Sequence, residues 1–180
     1  MASPVVVERT SRLAAPTGPV WRHATSMDGV NAELGPWVRM THPAWATDIS
    51  AAPELLGRVA FRSWLLAGGV VPFDRHALRL VAVEDRGLRG GAFEEDSTSW
   101  LQRRWRHDRV VEPAGTGTRV TDTVRIEPRV GFARPVTAVV VGFLFTHRHR
   151  RLVARFGAAT GPVPSAPDQP AGPAHEGDHR

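Results

Sequence analysis

From residue 57 to residue 127 the chain alternates between short runs that suit β-strands and clusters that suit turns. β-Branched, aromatic and alternating polar residues mark strands at 58–67, 74–84, 90–97, 100–112 and 118–127. Gly68-Gly69, Asp85-Arg86-Gly87, the serines from Ser97 to Ser99, and Pro113 to Gly117 separate them. Short connections between successive strands predict antiparallel meander pairing. A further strand is predicted at 5–13, where three valines open the run. Thr17 then stands as the cap of a helix reaching about residue 26, and a second short helix at 28–34 stops at Gly35-Pro36. Residues 37–53, punctuated by Pro43 and Pro53, read as an irregular connection with one short strand.

One long segment carries helix signals at both ends. Pro135 suits a first helical turn, where its missing N–H is no loss, and Gly157 suits the left-handed residue that ends a helix. A helix over 135–157 would be roughly 30 Å long, enough to cross a small domain. Arg148, Arg150, Arg151 and Arg155 crowd its C-terminal half, where the helix dipole favours cations. Residues 136–145 are apolar on nearly every side, so the pattern predicts that the rest of the chain covers them. That run is too short to span a bilayer and ends in arginines, which favours a buried core helix.

Composition adds limits. A chain of 180 residues suits one domain with a core that needs no metal or disulfide, and there is no cysteine to supply either. The N-terminus lacks a basic segment followed by a long apolar run, so no signal peptide is expected and the cytoplasm is the default location. After Gly157, proline, alanine and glycine dominate and large apolar residues almost vanish. Residues 1–157 are therefore expected to form the domain and 158–180 a disordered tail. The net charge is +5, and every basic residue is arginine. That bias reads as a compositional habit more than as a nucleic-acid signal.

The order of strand, two short helices, a meander and a long C-terminal helix resembles the helix-grip fold of the START-like (SRPBCC, Bet v 1-like) superfamily. Three places carry the resemblance: Ala15-Pro16 followed by Val20-Trp21; the hairpin with Trp105, His107, Arg109, Val111 and Pro113 before the run from Gly117 to Asp122; and the run from Phe145 to Leu152. It implies an α+β fold in which a curved antiparallel sheet wraps the long helix. Superfamily members include lipid carriers, hormone receptors and polyketide aromatase/cyclases, so the resemblance constrains shape more than chemistry.

In the hairpin, alternation puts Leu101, Arg103, Trp105, His107, Arg109 and Val111 on one face. On the partner strand Thr118, Val120, Asp122, Val124 and Ile126 share a face. Asp122 then lies opposite His107 or Arg109, and these apolar-rich faces are expected to turn toward the long helix. An acid beside bases in apolar surroundings fits polar groups that orient a hydrophobic ligand. It also fits a structural ion-pair cluster, the commoner outcome for paired charges near a core. Phe93 and Glu95 share a strand face that points either into the pocket or outward. His76 reads as a satisfied core or rim histidine. Gly142 either makes room for a ligand or allows a close helix-to-sheet contact. The candidate ligand-binding residues are thus Phe93, Glu95, Trp105, His107, Arg109, Asp122, Val124, Val139 and Phe143.

No metal or cofactor is expected. His147 and His149 are two apart on a helix and face different sides, while His175, Asp178 and His179 fall in the tail. The leading expectation is a binding protein whose sheet and helix enclose a cavity for a lipid, polyketide or aromatic metabolite. An aromatase/cyclase-like enzyme using His107, Asp122 and Arg109 is the first alternative, against which stand the lack of tyrosine, of a nucleophile motif and of a cofactor fingerprint. An arginine-driven nucleic-acid binder is the second, weakened because alternation splits the arginines from 103 to 109 between two faces. Six tryptophans leave open whether side chains fill the cavity.

Overall fold

A computed structural model describes residues 3–50 and 53–159. The tail expected from residue 158 lies outside these residues beyond position 159, His175, Asp178 and His179 included, while Ala158 and Ala159 pair with Leu13 and Arg12 of the first strand. The elements run β1 (Val5–Leu13), α1 (Thr17–Thr25), α2 (Met27–Leu34), β2 (Val38–Met40), β3 (Phe61–Ala67), β4 (Val71–Leu78), β5 (Leu80–Asp85), β6 (Gly91–Ser99), β7 (Gln102–Ala114), β8 (Gly117–Pro128) and α3 (Arg134–Phe156). The fold is the helix-grip α+β arrangement: one antiparallel sheet in the order β1-β8-β7-β6-β4-β3-β2, with β5 also on β6, curled around α3.

The strand predicted at 74–84 is two strands broken at Arg79. Both pair with β6, and the break is bridged by Arg79 N–H donating to Ser97 Oγ and Asp96 N–H donating to the Arg79 carbonyl. Thr17 does not cap α1; Pro16 holds the cap position, and the Thr17 hydroxyl accepts a bond from Thr118 instead. Ser26 caps α2, its Oγ accepting from Gly29 N–H at 3.0 Å. Gly157 closes α3 at φ 76°, a positive φ that suits glycine, although its ψ of 149° is extended and not the left-handed helical value its sequence position predicts.

The core is unevenly distributed along α3. At its C-terminal end Leu152 joins Leu13, Val20, Trp21, Phe93, Val111 and Val120 in one cluster. Gly91 is required there, since a Cβ would stand 2.7 Å from the Trp21 ring. Midway, Val141 and Phe145 pack on Val5, Val7, Val124 and Ile126. The N-terminal half contradicts the expectation of full coverage: Val136, Val139, Val140 and Phe143 are 47–73% exposed. A bulge near Gln102 is responsible for a second departure, because it turns Arg103 out to solvent, off the face it was expected to share with Trp105.

Candidate ligand-binding site

Strand register decides which polar groups meet. Arg109 pairs directly with Asp122 and His107 with Val124, so of the two registers left open by the sequence the one that sets Asp122 opposite Arg109 is adopted. Because all three side chains share the inner face, Asp122 still reaches both bases. Arg109 donates through Nε and Nη2 to the two Asp122 oxygens, each at 2.7 Å. On its other side Arg109 donates to both oxygens of Glu33, at 2.9 and 2.8 Å. This guanidinium is fully buried between two bidentate carboxylates.

Further groups extend the cluster from α3. Arg148 Nε donates to Glu33 at 2.9 Å, and His149 Nε2 meets Asp122 at 2.9 Å while its Nδ1 bonds Ser11 Oγ. His107 Nε2 is 2.7 Å from Asp122, and its Nδ1 is 3.7 Å from Glu95. Glu95 in turn meets His76 Nε2 at 2.7 Å. The chain from Ser11 through His149, Asp122, His107 and Glu95 to His76 thus crosses the inner face of the sheet. Glu33, Arg148 and His149 were not among the candidate site residues read from the sequence, although a signal for Arg148 was present. It falls on the inward stripe Val141, Phe145, Arg148, Leu152, whose four-three-four spacing is that of a packed helix face.

Electrostatics follows from burial opposed by partners. Burial alone would raise the Asp122 carboxyl, but Arg109, His107 and His149 hold it well below its ordinary range. Glu33 is likewise pushed up by burial and more strongly down by Arg109 and Arg148. For Glu95, His107 and His76 outweigh desolvation and keep it ionised. Burial pushes His107 down, yet Asp122 and Glu95 on its two nitrogens raise it overall, favouring the imidazolium. His23 is shifted the other way, since its burial outweighs the attraction of Glu33.

Beside this cluster lies a cavity of about 790 Å³ between the sheet, α2 and the N-terminal half of α3. Phe93, Glu95, Trp105, His107, Val139 and Phe143 line it. Arg109, Asp122 and Val124 do not: they are completely buried behind its floor. Glu95, whose direction the sequence left open, turns inward, and so does His76. Arg148 and the unanticipated Asp74 and Gln102 also line the cavity. The tryptophans do not fill it. Trp21 packs in the closed core, Trp105 forms wall, and Trp37 and Trp100 stand exposed at the mouth. Gly142 faces neither cavity nor a tight contact, because a Cβ there would meet only the Arg9 guanidinium, at 3.9 Å.

The outer face of the sheet is salt-bridged: Asp96 with Arg79 and Arg104, and Asp108 with Arg125. Among the described residues no three histidines or carboxylates are arranged to hold a metal ion. None of the described helices is long and apolar enough to cross a membrane.

A family model described as Domain of unknown function (DUF8410) matches residues 11–156. A search of curated proteins finds no match to the sequence. Among solved structures, protein CV1439 from Chromobacterium violaceum superposes with a TM-score of 0.59 at 12% identity, over 87% of this chain and 100% of that one. A START superfamily protein from Mycobacterium smegmatis gives 0.57 at 9% identity, over 84% and 96%. The AHSA1 protein from Silicibacter pomeroyi gives 0.53 at 15% identity, over 83% and 96%. At these identities the likeness is one of fold, and that fold is START-like.

Proposed function

We propose a function from two premises: the chain belongs to the DUF8410 family, and its fold is the START-like, or SRPBCC, fold. The protein binds a hydrophobic or amphipathic small molecule between its sheet and α3. The observation that carries this reading is the cavity itself. It has the volume of a small-molecule site, walls that are mostly apolar, and a few polar groups gathered on its floor. From behind the floor, Asp122 holds His107, and Glu33, itself bound by Arg109, holds Arg148.

Native mass spectrometry of freshly purified protein, followed by extraction and identification of released compounds, tests the reading. A reproducible bound mass that disappears when Trp105 is changed to Ala supports it. Bare protein, together with no thermal shift from a panel of lipids and aromatic metabolites, would overturn it.

A second reading, proton-transfer catalysis on a bound carbonyl compound, is favoured by one feature. His76, Glu95 and His107 adjoin one another on the cavity wall, where groups able to exchange protons would touch a ligand. Substrate consumption by the wild type that is lost in His76→Gln, with binding retained, would support it. Binding with no chemical change in the bound compound leaves the first reading in place.

A further inference from the structure

Two charged groups that line the cavity have no ion-pair partner among the described residues, the buried Asp74 and the exposed Arg129. Glu33 and Asp122 are matched by Arg109 and Arg148. Glu95 is matched by the imidazolium of His107. Asp74 has no such match. It is 3% exposed, lines the cavity, and among the described residues has no arginine or histidine nitrogen within ion-pair distance. Its Oδ1 accepts from the backbone N–H groups of Arg75 at 2.8 Å and Leu101 at 3.2 Å, while its Oδ2 takes no bond from the described residues. Arg75 itself lies outward, over the ring of Trp64. Asp74 Oδ2 is open to the cavity, where a charged donor brought by a ligand can reach it.

Three surrounding features narrow the donor. Gln102, one residue beyond the N–H that Asp74 holds, also lines the cavity, and its Oε1 is buried without a partner. That oxygen is closed off from the cavity, and no bond joins Gln102 to Asp74, so Asp74 Oδ2 is the acceptor left open to a ligand. Trp100, Trp105 and Phe73 line the same cavity and offer π faces suited to a cation. Arg129 lines the cavity too, but it is exposed and spends its Nε on the Ser99 carbonyl, so water can serve its remaining charge.

We infer that the cavity selects ligands carrying an ammonium group, with Asp74 as the counter-ion, the π faces of Trp100, Trp105 and Phe73 as further support for the cation, and the apolar walls taking the rest of the molecule. This rests on the cavity-binding reading above and names the ligand class. Overall electrostatics work against it, since the protein carries a net charge of +5 and would attract anions non-specifically. A preference for amines must come from a local group.

The test is a tryptophan-fluorescence titration of the full chain at pH 7 with decylamine, 1-decanol and decanoate, which share one alkyl body. A charged hydrogen bond formed out of water is expected to make decylamine bind roughly tenfold or more tighter than decanol, with decanoate weakest. In Asp74→Asn, which keeps the Oδ1 acceptor for the turn and removes the charge, decylamine should fall to the affinity of decanol while decanol stays unchanged. The wild-type comparison stands even if the variant folds poorly. Decylamine binding no tighter than decanol, or a preference that survives Asp74→Asn, overturns the assignment while leaving the cavity reading intact. Failure of all three compounds to bind overturns both.

Discussion

The two halves of α3 are built on opposite terms. The C-terminal half carries six of the helix's seven arginines and histidines, and two of them enter a sealed region: Arg148 and His149 reach carboxylates on α2 and β8, while Leu152 plugs the core. Its N-terminal half has scarcely a polar group, yet it is the half that faces solvent and the cavity. Hydrophobicity along the helix therefore runs opposite to burial. A helix held by paired charges at one end can leave its apolar end free to cover a space instead of filling it. The buried charges need not add net stability, because desolvation offsets much of their attraction. What they do supply is a fixed position for α3, with partners 115 and 27 residues away for Arg148 and His149.

The sharpest way to break this contrast is Asp122→Ala. It strips the central acceptor from Arg109, His107 and His149, and a loss of about 3–5 kcal/mol is expected, the usual cost of leaving buried charges uncompensated. Urea denaturation followed by tryptophan fluorescence measures it. Ligand affinity of the fraction that remains folded should change little, because Asp122 is behind the cavity floor. A stable variant with abolished binding would reverse the roles assigned to the two regions.

Next in size is the pH response of the sealed region. Glu33, Glu95 and Asp122 hold protons less tightly when folded than their ordinary values of 4.5, 4.5 and 3.8. Their contribution is present above those values and is lost as pH falls below them. His107 has the opposite sign: raised above 6.5, it stabilises below that pH and loses its contribution as pH rises through the folded value. His23, lowered by burial, partly offsets this by disfavouring the fold on acidification below 6.5. Denaturation midpoints should therefore drop on acidification below about 4.5, and the decline above 6.5 should vanish in His107→Gln. A decline that persists in that variant would place its source elsewhere.

Two smaller changes probe the open half. Gly142→Ala should stabilise the protein by about 0.5–1 kcal/mol, since the helix interior disfavours glycine and the added methyl meets open space. Destabilisation in a thermal melt would mean a closer contact at Arg9. Val139→Ser, at a position 73% exposed, should shift stability by less than about 0.5 kcal/mol while weakening decanol binding measurably. Unchanged binding would remove this part of α3 from the cavity wall.

Much of this could be read along the chain. Alternation placed His107, Arg109 and Asp122 on facing sides of one hairpin, because side chains of a strand point to opposite faces with a period of two. Gly157 and Pro135 marked the ends of α3 through backbone sterics that act within a few residues. Glu33 was invisible, being an ordinary glutamate in a short helix until Arg109, 76 residues away, is brought against it. Asp74 and Gln102 were missed for a similar reason, as they meet at a turn formed by strands that do not adjoin in sequence.

Element types and the residues that share each face follow from the order of amino acids, since they depend on local backbone geometry. The open apolar half of α3, the neutralising of three carboxylates and the want of a cation beside Asp74 among the described residues arise on folding. Those outcomes depend on which distant groups come within a few ångströms of one another, and Coulomb and solvation energies are set by that separation in space.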